Sequence, residues 1–178
     1  MPRTPLADIA PPLKKRLVEL WGTPPNLYKA LGNHPELVAA WAEFSKTLRH
    51  DTRTPRALRE LVILRGAQLM QSEYEWAQHL VMARKAGVTD SQIQELSNWR
   101  NSSQFDARQK AAIALSEDVT KGKVSDAVYK EAMRHFDHHD YVELACVAAF
   151  YAMVGRMLDA MGVQLEDDMR DYKPKLSK

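Results

Sequence analysis

Residues 59–96, "RELVILRGAQLMQSEYEWAQHLVMARKAGVTDSQIQEL", decide the fold class. Apolar residues recur at three- and four-residue spacing on both sides of Ser72, and this pattern predicts two helices in succession. Ser72 can cap the start of the second helix, and Gly87 stands where a left-handed residue ends one. Thr89 and Gln92 have the spacing of a capping box for a third helix. The stretch therefore predicts consecutive helices joined by short turns.

The rest of the chain repeats this helical periodicity, and alternating strand patterns are hard to find. We predict a single all-α domain in which residues 1–23 are an extended arm and first helix, residues 24–162 are the helical domain and residues 163–178 are a charged tail. Asn33 and Thr54 are the predicted caps of two of these helices. One of them is expected to bury an apolar stripe made of Leu37, Trp41, Phe44 and Leu48.

The overall composition is that of an ordinary soluble domain. Of the 178 residues, 45% are hydrophobic and 27% are charged, and the formal net charge is only +2. With 25 basic and 23 acidic side chains interspersed, no basic patch predicts a nucleic-acid partner.

Three features of the sequence bear on the cellular compartment of the protein. The N-terminus lacks the apolar segment of a secretory signal, and no uncharged apolar run reaches the roughly 18 residues of a membrane span. The single cysteine, Cys146, excludes an internal disulfide and lies in an apolar run, so we expect a buried thiol. These features predict a cytoplasmic protein with no membrane partner.

Three polar residues share one face of the second helix. Ser72, Glu75 and His79 stand at positions i, i+3 and i+7, and Glu60 precedes Ser72 by twelve residues on the preceding helix. If the two helices pack antiparallel, Glu60 returns to the same face. A carboxylate beside an imidazole fixes which ring nitrogen carries the proton, and such a pair can exchange protons near neutral pH.

An ordinary helix start explains the same residues equally directly. "SEYE" fits a capping box in which Ser72 bonds the backbone of Glu75 and the Glu75 side chain bonds the backbone of Ser72. Glu75 and His79 would then be a surface pair one turn apart. Tyr74 and Trp76 would be packing residues. Spacing alone favours this capping interpretation over a reactive face.

The quoted stretch resembles the carboxymuconolactone decarboxylase and alkylhydroperoxidase D-like superfamily. In the peroxidase branch of that superfamily, a glutamate is followed twelve residues later by C-x-x-C-x-x-x-H. That pattern falls without a gap on Glu60, Ser72, Glu75 and His79, so both cysteines are absent here. "YEWAQH" matches the E-x-x-x-H of the non-peroxidase branch. The resemblance extends over residues 24–162 and implies an all-α helical bundle of the alkylhydroperoxidase D-like type.

The resemblance also implies a chemistry. A serine hydroxyl is not oxidised by a hydroperoxide, so a disulfide-based peroxidase is chemically excluded at this position. The decarboxylase branch implies cofactor-free acid–base chemistry on a small carboxylated or lactone-type molecule. His79 would donate or shuttle the proton, Glu75 would orient it, and Glu60 would be a second acid or would set the tautomer of His79.

Three further residues are expected to bind the substrate. The free amides at Ser72 can hold a carboxylate or a developing oxyanion, Tyr74 can donate a phenolic hydrogen bond, and Arg156 can pair with a substrate carboxylate. The resemblance implies a homo-oligomer as well. Two alternatives remain open: a redox protein that uses a metal or an external thiol, and a non-catalytic binding or assembly protein on the same scaffold.

A histidine-rich run, "RHFDHHDYVE", is a candidate metal site. His135, His138 and His139 with Asp137 and Asp140 have spacings that suit zinc or iron. The run lies between two predicted helices, however, and Asp140 stands three residues before a glutamate, as in a capping box. We therefore predict loop histidines and no metal ligands.

Overall fold

The computed structural model describes residues 2–21 and 23–172 of the chain, and within them it is helical without any strand. Short 3-10 helices form at Leu96–Asn98 and Asp167–Tyr172. This architecture confirms the predicted all-α class. The α-helices are Pro11–Trp21 (α1), Asn26–Leu31 (α2), Pro35–His50 (α3), Arg56–Met70 (α4), Glu73–Lys85 (α5), Asp90–Glu95 (α6), Ala107–Lys121 (α7), Asp126–His135 (α8) and His138–Met161 (α9).

Helix α4 is the centre of the bundle. It packs against α5, α7 and α9, and its side chains Leu61 and Leu64 are completely buried. Gln71 adopts the left-handed conformation at φ 53°, so α4 ends there and Ser72 caps α5 one residue later. This short turn makes α4 and α5 an antiparallel hairpin, and it is why Glu60 can return to the level of His79.

Two predicted caps are wrong by one residue each. His34, and not Asn33, caps α3 through a hydrogen bond that its Nδ1 accepts from the Leu37 backbone. Thr54 does not cap α4, because its hydroxyl and backbone N–H both donate to the buried Glu143 carboxylate. That carboxylate ties the loop between α3 and α4 to α9.

The start of α9 also differs from the prediction. The helix begins at His138, and the Asp137 side chain caps it by accepting a hydrogen bond from the Asp140 backbone. Asp140 is therefore inside the first turn and is not the cap. Glu143 does not complete a capping box, because its carboxylate bonds the backbone of Arg53 and Thr54.

The predicted apolar stripe of α3 is only half buried. Trp41 and Leu48 lie in the core, whereas Leu37 is 45% exposed and Phe44 is 48% exposed. Cys146, expected in the core, is also exposed, since it lies on the outer face of α9. These corrections share a cause: periodicity identifies an apolar helix but does not tell which of its apolar faces meets the core.

Helix α9 is long and apolar enough to cross a membrane by length and composition alone, and it is the one such helix in residues 2–21 and 23–172. Half of its most apolar window is buried inside the fold. The buried core helix of a bundle has the same length and composition, so this observation is weak evidence for a membrane span.

Candidate functional site

Glu60 of α4 and His79 of α5 form the centre of the site. Glu60 Oε2 lies 2.8 Å from His79 Nδ1, and both side chains are buried, at 0% and 2% exposed. Burial alone would raise the pKa of Glu60, but its hydrogen bonds and charge interactions with His79 and Arg56 hold that pKa below its usual value. An ionised carboxylate only accepts hydrogen bonds, so His79 Nδ1 carries the ring proton and donates a hydrogen bond to Glu60.

A guanidinium anchors the second oxygen of Glu60. Arg56 stands one turn before Glu60 on α4, and its Nε donates to Glu60 Oε1 over 2.6 Å. Arg56 also reaches Met82 Sδ of α5 at 3.6 Å. Both oxygens of Glu60 are therefore occupied, and the carboxylate is fixed in one orientation. This leaves Nε2 as the free ring nitrogen of His79.

Glu75 faces that free nitrogen. Its Oε2 lies 3.7 Å from His79 Nε2 and has no hydrogen-bond partner among the described residues. Burial raises the pKa of Glu75 to about 7, although the positive charge of Arg49 and the interaction with His79 act in the opposite direction. Near neutral pH this carboxyl group is therefore partly protonated, as a general acid or base requires.

Only half of the predicted capping box is formed: Ser72 caps α5, but the Glu75 side chain does not bond the Ser72 backbone. Ser72 Oγ accepts a hydrogen bond from the Glu75 backbone at 3.4 Å. The Ser72 backbone, however, donates to the Ala67 carbonyl at 3.0 Å, and the Glu75 side chain is turned into the protein. A helix cap at Ser72 and an inward-facing Glu75 side chain thus coexist at the start of α5.

A small cavity opens beside His79 and Glu75. Its volume is about 30 Å³, enough for a few atoms of a ligand or for water. Arg49, at the end of α3, brings a positive charge to its wall, and the Arg49 Nε donates to the Tyr151 hydroxyl at 3.3 Å. The Tyr151 ring packs edge-on against the His79 ring, with centroids 4.6 Å apart. An anionic group in this cavity would therefore meet a cation and a partly protonated carboxyl.

The predicted substrate-binding residues lie in different places. Tyr74 lines the cavity with Glu75 and His79. Ser72 lies outside that cavity, in a separate groove beside Gly155. Arg156 is exposed on α9 and donates to the Thr120 carbonyl at 3.1 Å, so it does not line the cavity either.

The histidine-rich run is not the predicted loop, because His135 is the last residue of α8 and His138 and His139 are the first two of α9. His135 Nε2 lies 3.2 Å from a carboxylate oxygen of Glu131. One ligand atom from each of Asp137, His139 and Asp140 falls within 4.8 Å of the others, a grouping compatible with a metal ion. Arg53 already neutralises part of this cluster, because it bonds Asp137 at 2.6 Å and Asp140 at 2.9 Å.

Sequence reasoning missed Arg49, Gln78 and Glu166 as parts of the site. Gln78 lines the cavity, and its side-chain amide donates to Glu166, which follows α9. These three residues carry no motif, and Arg49 and Glu166 come from elements distant in sequence. Arg56 could have been found, because it stands four residues before Glu60 on the same helix face.

The model of the carboxymuconolactone decarboxylase family matches residues 35–118, which include Glu60 and His79. The uncharacterized protein YdfG of Bacillus subtilis (strain 168) is 31% identical over 110 residues, or 60% of this chain and 75% of that protein.

Solved structures share the fold. The alkylhydroperoxidase AhpD core of an uncharacterized peroxidase-related protein from Ralstonia eutropha JMP134 superposes with a TM-score of 0.83 at 20% identity, covering 94% of each chain. The debrominase Bmp8, in complex with 2,3,4-tribromopyrrole, gives a TM-score of 0.79 at 18% identity, covering 91% of this chain and 88% of that one. Sequence and fold together show that this chain belongs to the carboxymuconolactone decarboxylase family, with the helical fold of alkylhydroperoxidase AhpD.

Proposed function

We propose that the protein is an enzyme that transfers a proton, without a cofactor, to or from a small carboxylated or lactone-type substrate, with decarboxylation as the leading reaction. One observation carries this proposal: a buried carboxyl group, Glu75, has its pKa raised to about 7 and faces both a cavity and the free nitrogen of His79. Buried groups with such pKa values are frequent at catalytic sites.

The proposed steps use only residues of the site. The substrate carboxylate leaves as CO2, and its bonding electron pair remains on the adjacent carbon and delocalises onto a neighbouring carbonyl oxygen. Arg49 stabilises that oxyanion. Protonated Glu75 then transfers its proton to the carbon, so one proton is consumed for each CO2 released. His79, held by Glu60, takes a proton from solvent and returns it to Glu75.

This assignment changes the roles expected from sequence. Glu75 and not His79 is the immediate proton donor, because the raised pKa leaves a proton on this carboxyl near neutral pH. Glu60 is a positioning residue that fixes the tautomer of His79 and remains ionised. A thiol-based reaction is not supported at this site, because Ser72 and Glu75 stand where the peroxidase pattern has cysteines and Cys146 lies outside the cavity.

The test is CO2 release from a panel of carboxylated lactones and β-keto acids, with no metal or thiol added. Release that persists after a chelator and a thiol alkylator supports the proposal. Release that depends on an added metal or an added thiol contradicts it and favours the redox alternative. If no member of the panel reacts above the buffer rate, the decarboxylase assignment is wrong for these substrate classes.

The pH dependence tests the role of Glu75 separately. Since the protonated form donates the proton, we expect kcat to fall as the pH rises through about 7, the pKa of Glu75. Glu75→Gln should lose this dependence and retain about 1% or less of the wild-type rate. If Glu75→Gln shows the same decline of kcat with pH, the decline is caused by another group.

We also propose that the protein is a homo-oligomer that associates through an exposed apolar face. This face consists of Leu37 and Phe44 on α3 and of Val142, Cys146 and Met153 on α9. The two helices are in contact, since the Phe44 ring packs edge-on against Phe150 of α9, with ring centroids 5.3 Å apart. Apolar patches of this kind are typical of protein–protein contacts.

Sedimentation velocity tests this face. We expect the wild type to sediment as an oligomer and the double variant Phe44→Glu/Val142→Glu to sediment as a monomer, because two charges would be buried at the contact. Val18→Glu is a matched control, since Val18 is an exposed apolar residue of α1 outside this face. An unchanged sedimentation coefficient in the double variant would exclude this interface.

A further inference from the structure

The segment after α9 turns back over the site and places a carboxylate at its entrance. Glu166 Oε1 accepts hydrogen bonds from the Tyr74 hydroxyl at 2.8 Å and from the Asn26 backbone at 2.6 Å. Glu166 Oε2 accepts one from the Gln78 side-chain amide at 2.6 Å. These donors come from α2 and α5, and together they form a cradle for one carboxylate group.

The donors of this cradle are held by the body of the fold. Tyr74 is 7% exposed, and its hydroxyl oxygen accepts a hydrogen bond from the Leu27 backbone at 3.3 Å. Its proton is therefore directed outward, toward Glu166. Burial, together with the Glu166 charge, raises the pKa of Tyr74 well above its usual value, so the hydroxyl remains a donor.

The cradle lies where the inner cavity meets a larger groove. Tyr74 and Gln78 line the cavity that contains Glu75 and His79. Gln78, Asn26 and Glu166 also line an outer groove of about 670 Å³. A groove of this size is within the range of small-molecule sites, whereas the inner cavity alone is not.

The segment that carries Glu166 lies at the surface of the molecule. The 3-10 helix that follows Glu166, Asp167–Tyr172, has no buried residue. Besides Glu166, the partly buried Val163 and Leu165 hold this segment to the core, and the Asn26 side-chain amide donates to the Gln164 carbonyl at 3.0 Å. A carboxylate that replaces Glu166 would therefore displace a surface segment and no core helix.

We propose that Tyr74, Gln78 and the Asn26 backbone form the carboxylate subsite of the enzyme, and that Glu166 occupies it until a small carboxylic acid takes its place. The identification of that acid as substrate rests on the proposed function. The binding of a carboxylate in the cradle does not, and it is measurable without turnover.

The experiment is a titration of benzoate or acetate into the wild type and into Glu166→Ala, with binding followed through the NMR signal of the Gln78 side-chain amide. The added carboxylate replaces an equal concentration of chloride, so the ionic strength stays constant. We expect Glu166→Ala to bind either carboxylate about tenfold more tightly than wild type, because the internal competitor is absent. Asp171→Ala is the matched control, since Asp171 is an exposed acid of the same segment that does not line the outer groove, and it should bind as wild type does.

A second substitution separates the cradle from a general charge effect. In the Glu166→Ala background, Tyr74→Phe removes one donor and keeps the ring, and it should weaken carboxylate binding about tenfold. Binding by Glu166→Ala no tighter than by wild type would overturn the proposal, as would binding that Tyr74→Phe leaves unchanged. Absence of CO2 release would overturn the proposed function and leave this binding result intact.

Discussion

Replacement of His79 by glutamine should lower kcat by about two to four orders of magnitude, the usual contribution of general acid–base catalysis. Glutamine can still donate an amide hydrogen bond to Glu60, so the hairpin of α4 and α5 keeps its geometry. It cannot exchange a proton with Glu75, which lies 3.7 Å from His79 Nε2. KM should change much less than kcat, because His79 moves protons and does not hold the substrate carboxylate.

His135→Gln is the control for this prediction. His135 also pairs with a glutamate, Glu131, four residues earlier on its helix, but it lies on α8 and does not line the cavity. It should keep wild-type activity. Circular dichroism and the melting temperature would show that His79→Gln is folded. Retention of a tenth or more of the wild-type kcat by folded His79→Gln would contradict the catalytic role.

Replacement of Glu60 by leucine should lower the free energy of unfolding by about 3 kcal/mol, because it leaves the buried His79 and the half-buried Arg56 without their acceptor. Glu60→Gln keeps the volume and one acceptor oxygen, so its loss should be smaller. The measurement is urea denaturation, in which a lower midpoint with an unchanged slope reports stability alone.

Glu36→Gln provides the surface comparison for Glu60. Glu36 is exposed, and its carboxylate lies 3.3 Å from Nδ1 of the exposed His34, a surface contact that contributes little, on the order of 0–1 kcal/mol. Its variant should unfold with the wild-type midpoint. A Glu60→Leu protein as stable as Glu36→Gln would show that the Glu60 carboxylate adds no net stability to the bundle.

The contact between Glu60 and His79 could be predicted from sequence because it depends on local rules. Helical periodicity on both sides of Ser72, together with a short turn, places residues of two consecutive helices side by side. The same rules predicted the Ser72 cap and the left-handed Gly87 that follows α5.

Which residues are buried could not be predicted in the same way. Whether Glu75 bonds the backbone at the helix start or turns inward depends on the neighbouring Arg49 and on the space beside His79. Leu37, Phe44 and Cys146 belong to apolar helices, but their faces point outward. These outcomes are set by the packing of whole helices, which local periodicity does not encode.

The remaining parts of the site come from distant positions in the chain. Arg49 ends α3, and Glu166 belongs to the segment after α9, which composition alone marks as a solvated charged tail. Neither residue stands in a motif with Glu60 or His79. Only the folded arrangement brings their charges to the cavity and to its entrance.

In the proposed reaction, the buried His79 and Glu75, positioned by Glu60, deliver a solvent-derived proton to carbon. Decarboxylation in D2O tests this step, with CO2 and product deuterium measured together by mass spectrometry for wild type and His79→Gln. We predict one deuterium at the carbon that lost CO2 in the wild-type product, and loss of both signals in the folded variant. Equal CO2 release by wild type and His79→Gln would show that His79 does not deliver the proton.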